Sequence, residues 1–332
     1  MTATLESRGA TASGPSPAGV PFLRDRFLAR TGLYRCSLDP DATPGDPGLF
    51  GPGSATWSLV GQHPQPLAGL RAALLQALSA PIPTATASTG TFDEDFLGRV
   101  QRTGVYVQAQ NFGSLDEVFR SARRVRAMHR TVSGTSKEGV TYDATDPHLT
   151  AWVSMTMTDS VLAMTERFGT GPVAPEVADA FVREQAVHAA LLDHRVDLAA
   201  TFDDPERRAA LRAGELPLPL VEEGELPTTL AGLRERMAAH TPELSTTRMT
   251  RKRIDRVVKL DRVPSRQRRL LLPFVLATLD TVDDTHHELL APDSDRAAER
   301  RAARRVRRLF ALIRTVVGEP PLHVTARARA AA

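Results

Sequence analysis

The chain has 332 residues and 42% of them are apolar, so it is long enough to bury a sizeable core. Its 42 basic and 39 acidic side chains leave a formal net charge of only +3. The single cysteine, Cys36, excludes an internal disulfide and any site built from several thiolates, and we expect it to be a small buried residue. The longest apolar run, residues 270–279, is interrupted by Pro273, so no membrane span is predicted.

The two ends of the chain are expected to be disordered tails, over residues 1–20 and 324–332, on either side of a single domain over 21–323. Residues 1–20 are rich in Ala, Ser, Thr, Gly and Pro. They also lack the basic cluster and apolar segment of a secretory signal, so we expect a cytoplasmic protein. Residues 32–56 are dense in Gly, Pro and Asp, which predicts a loop.

Leucines at helical spacing predict a first helix over 63–80 that stops at Pro81 and Pro83. A second helix is predicted over 93–110. At 100° per residue, its polar positions fall on a stripe beside the apolar one, and they are Arg99, Arg102, Thr103 and Tyr106.

The next helix is predicted to begin at Ser114, because Glu117 follows three residues later as in a capping box. Its apolar line includes one histidine, His129, where a leucine is expected. The other members of that line are Val118, Ala122, Val125 and Val132.

Asp146 and Pro147 predict the start of an apolar, central helix that closes at Gly169. Further helices are predicted over 175–200, 228–240, 265–290 and 295–317. No convincing period-2 run and no Asn-Gly hairpin is found, and residues 135–147 are predicted to form a loop. The sequence therefore predicts an all-α fold.

Most common catalytic patterns lack their minimal parts here: there is no glycine-rich phosphate loop, no GxSxG and no HExxH. His188 and His194 are six residues apart, and His286 and His287 are adjacent, so we expect no histidine metal cluster. The basic helix over 295–317 is compatible with nucleic-acid binding. Because no stacking platform or recognition motif accompanies it, we expect a solvated helix face and no nucleic-acid partner.

Arg99 and His129 match none of these catalytic patterns, but their residue types suit a haem site. A haem needs an apolar slot for the macrocycle, a neutral imidazole for the iron and cations for its two propionates. Arginine suits the last role, since its planar guanidinium binds carboxylates bidentately. A satisfied core histidine is the alternative that the pattern alone leaves open.

The segment 98–134, followed by Y-x-A-x-D-P and WVSMTMTDS, resembles the bacterial rubber oxygenases (latex clearing proteins) and the ER-bound-oxygenase-like haem-b proteins related to them. This resemblance implies a globin-like helical core with additional helices and a bound haem b. It implies that His129, in an R-x-x-H motif with Arg126, is the axial ligand of the iron. It further implies that Arg99, Arg102 and Thr103 line the haem pocket.

The chain departs from the pattern of these relatives at three positions. Relatives typically carry histidine at the positions of Ser79 and Ser154. Arg102 stands where rubber oxygenases can present a lysine to the iron, and a guanidinium cannot coordinate a metal. We therefore expect a distal side that is open or occupied by water. His148 is expected to be a surface residue at a helix N-terminus.

Together these observations predict a haem-b-dependent oxygenase, or other oxidoreductase, that uses molecular oxygen or another oxidant on an apolar small molecule. A tailoring step in secondary metabolism is one such role. Arg102 and Thr103 are the predicted catalytic residues, while Arg99, Arg102 and Arg126 bind propionates or polarise a distal ligand. The alternative is a haem-free ligand-binding or interaction module on the same fold.

Overall fold

A computed structural model describes residues 36–89, 96–261 and 263–332, together with Arg24. Within these ranges it leaves out the side chains of the first residues of one helix, which are Phe96, Leu97, Arg99 and Val100. The predicted tail over 1–20 lies outside the described residues.

The described residues form sixteen α-helices, one 3₁₀ turn and one two-stranded hairpin, which confirms the predicted all-α fold. A globin-like arrangement of these helices stays a prediction. The elements in chain order are α1 (Ala55–Val60), α2 (Gln65–Gln76), α3 (Pro81–Ser88), α4 (Phe96–Phe112), α5 (Leu115–His129), β1 (Ser133–Thr135), β2 (Thr141–Asp143), α6 (Pro147–Phe168), α7 (Pro175–Ala190), α8 (Leu198–Asp203), α9 (Pro205–Ala213), α10 (Pro219–Glu222), α11 (Leu230–His240), the 3₁₀ turn Thr241–Glu243, α12 (Arg248–Lys259), α13 (Ser265–Leu279), α14 (Asp284–Leu290), α15 (Arg296–Val317) and α16 (Pro321–Ala331).

Helix α6 lies at the centre of the core, as its apolar composition predicts. It packs against α2, α7, α11 and α15, and it buries Trp152, Met155, Met164 and Phe168 almost completely. The side chain of Asp146 caps its first turn by accepting from the backbone N–H of His148, and the helix closes at Gly169. Both predicted boundaries are therefore confirmed.

Helices α4 and α5 form an antiparallel hairpin whose turn is closed by the predicted capping box. Ser114 Oγ accepts from the N–H of Glu117 at 3.3 Å, and Glu117 Oε2 accepts from the N–H of Ser114 at 2.7 Å. Glu117 Oε1 also accepts from the N–H of Asp39 at 2.7 Å. This buried carboxylate fixes the start of α5 and anchors the preceding loop to it.

Several predicted boundaries are wrong, and prolines or caps explain the differences. Pro81 ends the first leucine-rich segment but also begins α3, because a proline fits the first turn of a helix. The segment 265–290 contains two helices, since Asp283 caps a new one, α14. The segment 175–200 breaks after Ala190, the region 135–147 contains the β1–β2 hairpin, and α12 was not predicted.

The predicted disordered tail over 324–332 is wrong, because these residues form most of α16. Ala326 is fully buried, and Arg329 donates to the carbonyl oxygens of Asp46 at 2.9 Å and Phe112 at 2.7 Å. Ala326 also packs in a small apolar cluster with Trp57 and Phe112, so a helix with few large apolar residues is held by this contact together with Arg329. The expectation that Cys36 is buried is also wrong: its side chain is exposed.

The basic helix α15 turns its arginines to solvent. Its buried face contains Glu299, which pairs with His287, and otherwise small and apolar residues, among them Ala302, Val306, Phe310 and Ile313. This distribution agrees with the expected solvated face. None of the described helices combines the length and the apolar character needed to cross a membrane.

Candidate functional site

The predicted site residues lie on two facing helices, and hydrogen bonds fix how those helices are turned. Gln110 Nε2, on α4, donates to the carbonyl oxygen of Val118 at 3.0 Å and to Ser121 Oγ at 2.6 Å, both on α5. Tyr106 and Thr103 lie four and seven residues before Gln110, so they share the face of α4 that is turned towards α5.

Arg102 and His129 lie at the same level along the hairpin. Arg102 lies eight residues before Gln110, and His129 lies eight residues after Ser121, with which Gln110 pairs. Because antiparallel α-helices rise equally per residue, the two side chains start from the same height on opposite helices. Arg102 and His129 therefore lie at the same level of the hairpin, and their acting together stays a prediction.

The side chains at this end of the hairpin are exposed or half-buried. Arg102 and Thr103 are exposed, and Tyr106 and His129 are half-buried. Met128 follows Ser121 by seven residues, so it lies on the side of α5 that is turned towards α4. Its side chain is nevertheless 51% exposed. We call the solvent-accessible surface beside these residues, between α4 and α5, the hairpin cleft.

The hairpin cleft contains an imidazole, a guanidinium and two hydroxyl groups. Burial raises the pKa of the Tyr106 phenol, so this group keeps its proton at neutral pH and is available as a donor. Tyr106 shares a stripe with Arg102 in the sequence but was not predicted as a site residue. Arg99 lies in the first turn of α4, and its side chain is outside the described residues.

Arg126 lies on a different side of α5 from the hairpin cleft. Its guanidinium is buried and donates to the carbonyl oxygens of His194 and Val196, both at 2.9 Å. Burial, and then the neighbouring Arg130, lower the pKa of Arg126. These contacts favour a role in holding residues 194–196 against α5, while the predicted contact of Arg126 with a propionate stays a prediction.

Arg126 opens onto a groove of about 630 Å³. Arg123, Arg126 and Arg130 share one face of α5 at spacings of three and four residues, and this face borders the groove. The other lining residues are Phe119, Ala127, His194, Arg195, Val196, Asp197, Leu198 and Ala199. His129 is not among them, so this groove and the hairpin cleft are separate surfaces of α5.

The two serines at the positions of expected histidines lie in different surroundings. Ser154 borders a cavity of about 10 Å³ between α6, α7 and α11, which has room for about one water molecule. Ser79 is buried and pairs with Ser245 in an isolated β-bridge, where the N–H of Ser245 donates to the carbonyl oxygen of Leu78. The segment before α12 therefore covers Ser79.

His188 is a buried histidine at the end of α7 that sequence reasoning gave no role. Gln185 Nε2 lies 3.3 Å from its Nδ1, and the ring of Phe50 meets it edge-on at 5.2 Å between centroids. Burial lowers the pKa of His188 to about 4, because the surroundings disfavour the charged form. The imidazole is therefore neutral at physiological pH.

This neutral histidine should make the protein less stable in mild acid. In the unfolded chain this imidazole has the ordinary histidine pKa of 6.5, whereas in the folded chain its pKa is about 4. The free energy of unfolding should therefore fall by about 2 kcal/mol between pH 7 and pH 5 through this group alone. Urea unfolding of the wild type and of His188→Asn at both pH values checks this, and equal losses in the two proteins would contradict it.

His148, predicted to be a surface residue, is 38% exposed and lies between two carboxylates. Its Nδ1 is 3.2 Å from Glu225 Oε2, and its Nε2 is 2.8 Å from Glu243 Oε2. Partial burial opposes protonation, but the hydrogen bonds to Glu243 and Glu225 outweigh it and raise the pKa of His148. This cluster lies away from the residues of the hairpin cleft in sequence and was not predicted.

Comparison with protein families identifies the class of protein that carries these features. Residues 57–315 match the family described as ER-bound oxygenase mpaB/B'/Rubber oxygenase, catalytic domain. The match extends from α1 into α15 and confirms the resemblance seen in the sequence. The chain belongs to this family and is an enzyme of the oxygenase class. No curated protein and no solved structure matches it.

Proposed function

We propose that the chain is a haem-b-dependent oxygenase that holds its haem in the hairpin cleft, with His129 as the protein ligand of the iron. The observation that carries this proposal is the open end of the α4–α5 hairpin. There an imidazole and a guanidinium lie at one level on the two helices, and the neighbouring Thr103 and Met128 are exposed.

The donor set of the cleft fits a haem in its chemistry. His129 offers an imidazole, Arg102 a permanent positive charge for a propionate, and Val125 and Met128 apolar surface for the macrocycle. Covering Met128, which is 51% exposed, removes apolar area from water and so favours binding. Arg99 belongs to the same stripe of α4 in the sequence and is a second candidate to bind a propionate.

When bound, the haem supplies the one-electron and dioxygen chemistry that amino-acid side chains lack. The chain's own residues then orient and polarise the reactants. The positively charged guanidinium of Arg102 stabilises negative charge on the α4 side of the cleft. Thr103 and Tyr106 donate hydrogen bonds from the same face. We propose that they orient an apolar small molecule against Val125 and Met128, with molecular oxygen as the oxidant.

A haem-reconstitution experiment tests the proposed function. The full chain, expressed with added haem precursor and purified, should show a Soret band and a pyridine haemochrome spectrum of the b type, with one haem per chain. A purified chain that shows no Soret band under these conditions would contradict the proposal. It would favour the alternative, a haem-free ligand-binding module in which Ser79 and Ser154 mark the loss of pocket histidines.

A further inference from the structure

A second group of metal-ligating side chains lies at the N-terminal end of α6, and it is made by three elements that are distant in sequence. His148 belongs to the first turn of α6, His240 ends α11, and Glu243 belongs to the 3₁₀ turn that follows. Each offers one ligand atom, and these atoms all lie within 4.8 Å of one another. Two imidazoles and one carboxylate form a donor set that is typical of zinc and other divalent transition metals.

The three ligand atoms lie within 4.8 Å of one another, whereas the ligands of one ion lie closer to a common spacing, so the side chains have to adjust before they share an ion. Zinc binds nitrogen and carboxylate oxygen at about 2.0–2.2 Å, so the ligand atoms of a tetrahedral site lie about 3.3 Å apart. His148 Nε2 and Glu243 Oε2 are 2.8 Å apart. A shift of about half an ångström therefore opens this hydrogen-bonded pair enough to place an ion between the two atoms.

Glu225 holds His148 in the orientation that a metal ligand needs. Its Oε2 lies 3.2 Å from His148 Nδ1, so Nδ1 can donate to it while Nε2 faces Glu243 at 2.8 Å; a metal ion would take the place of the proton between Nε2 and Glu243. Arg236 donates to the same carboxylate oxygen at 2.7 Å and fixes it in turn. A histidine that donates its second ring N–H to a carboxylate is the usual support for a metal-bound imidazole.

His240 is held in place by stacking. Its ring lies parallel to the indole of the fully buried Trp152, with 4.3 Å between centroids and 4° between planes. On its other side the ring of His148 is stacked at 4.5 Å with 26° between planes, so one of the two rings has to turn before both direct a nitrogen lone pair at one ion. Among the described residues, no hydrogen bond occupies the nitrogens of this ring, which leaves them to a ligand from outside the chain.

We infer that His148, His240 and Glu243 bind one divalent transition-metal ion of the zinc type, with Glu225 as the carboxylate that supports His148. Three protein ligands leave a fourth position of the ion to water. Glu243 is 56% exposed and His148 is 38% exposed, so an ion can enter from solvent. Once a metal ion has displaced the proton of His148, two glutamates and Arg236 leave this corner with a net negative charge, which favours a cation. The site is independent of the haem proposed for the hairpin cleft.

Zinc binding by the full chain tests this inference. After treatment with a chelator and removal of that chelator, the chain should bind one Zn²⁺ per molecule by isothermal titration calorimetry, and Mg²⁺ should not compete. Co²⁺ should give the absorption bands of a tetrahedral site with nitrogen and oxygen ligands. We expect His148→Phe and His240→Phe to weaken zinc binding more than about 100-fold, and Glu225→Gln to weaken it about 10- to 100-fold.

Phenylalanine keeps an aromatic ring in the stack with Trp152, so these variants separate loss of a ligand from loss of folding. His323→Phe is the matched control, because His323 pairs with Glu319 at 2.7 Å and packs on aromatic rings but has no second imidazole beside it. Equal zinc affinity in His240→Phe, His323→Phe and the wild type would overturn the inference. The Soret band of His240→Phe should match that of the wild type. The zinc site and the proposed haem site are therefore tested by separate measurements, and either proposal can fail without the other.

Discussion

Replacement of His129 by alanine should abolish the Soret band that we expect for the haem-loaded chain. His129 is the only histidine of α4 and α5, and it lies at the level of Arg102 on the facing surface of the hairpin. Without an axial imidazole the iron has no protein ligand, and apolar contacts with Val125 and Met128 alone hold a haem weakly. We expect a loss of haem affinity of at least about 100-fold, corresponding to roughly 3 kcal/mol.

The matched control for this variant is His194→Ala. His194 contacts the same helix, because Arg130 Nε donates to its Nδ1 at 3.3 Å, but it borders the groove on the other surface of α5. This variant should keep a wild-type Soret band. Addition of free imidazole to His129→Ala should restore part of the band, because the small molecule can occupy the space of the missing ring. A wild-type spectrum in His129→Ala without imidazole would refute the assignment of the ligand.

Features that depend on neighbouring residues in the chain were predicted correctly. The capping box of Ser114 and Glu117, and the start of α6 at Asp146 and Pro147, are local patterns of hydrogen-bonding side chains and fixed backbone angles. Pro81 was a less informative signal for where a helix ends. A proline ends one helix and begins another with the same backbone geometry, and only tertiary packing decides between these outcomes.

The alignment of Arg102 with His129 was predictable only in part. Helical periodicity places each residue on a face, and the capping box places the turn between the two helices. The direction in which the faces are turned depends on Gln110, whose amide donates to both Val118 and Ser121. A buried glutamine near a helix end has many possible partners, so this orientation could not be deduced from the chain alone.

The cluster of His148, His240 and Glu243 could not be predicted from the sequence, for a different reason. Spacing rules find ligands that share a helix face or a short loop, whereas these residues come together through the packing of α11 against α6. The one local signal is His240 with Glu243, three residues apart in a terminal turn. Such a pair is common at helix ends and predicts no site without its partner from α6.

Replacement of Arg329 by alanine should lower the free energy of unfolding by about 2–4 kcal/mol, although this residue lies in the segment expected to be disordered. Its side chain is only 8% exposed, and the carbonyl oxygens of Asp46 and Phe112 accept its hydrogen bonds. Glu117 Oε2 lies 3.6 Å from its guanidinium. Removal of the guanidinium leaves buried acceptors without a partner, which costs more than the loss of an exposed pair.

Arg327→Ala is the matched control, because Arg327 lies on the same helix and its side chain is 53% exposed. Its ion pair with Glu319, at 3.3 Å, should contribute less than about 1 kcal/mol. Urea unfolding of both variants and the wild type measures the difference, and equal stability of Arg329→Ala and Arg327→Ala would contradict the packing of α16.

Because Arg329 binds Phe112 at the end of α4 and Glu117 at the start of α5, it also fixes the closed end of the hairpin. Arg329→Ala should therefore weaken haem binding, although its guanidinium lies at the opposite end of the hairpin from His129. The reason is that the separation of α4 and α5 at the cleft depends on how firmly their turn is held.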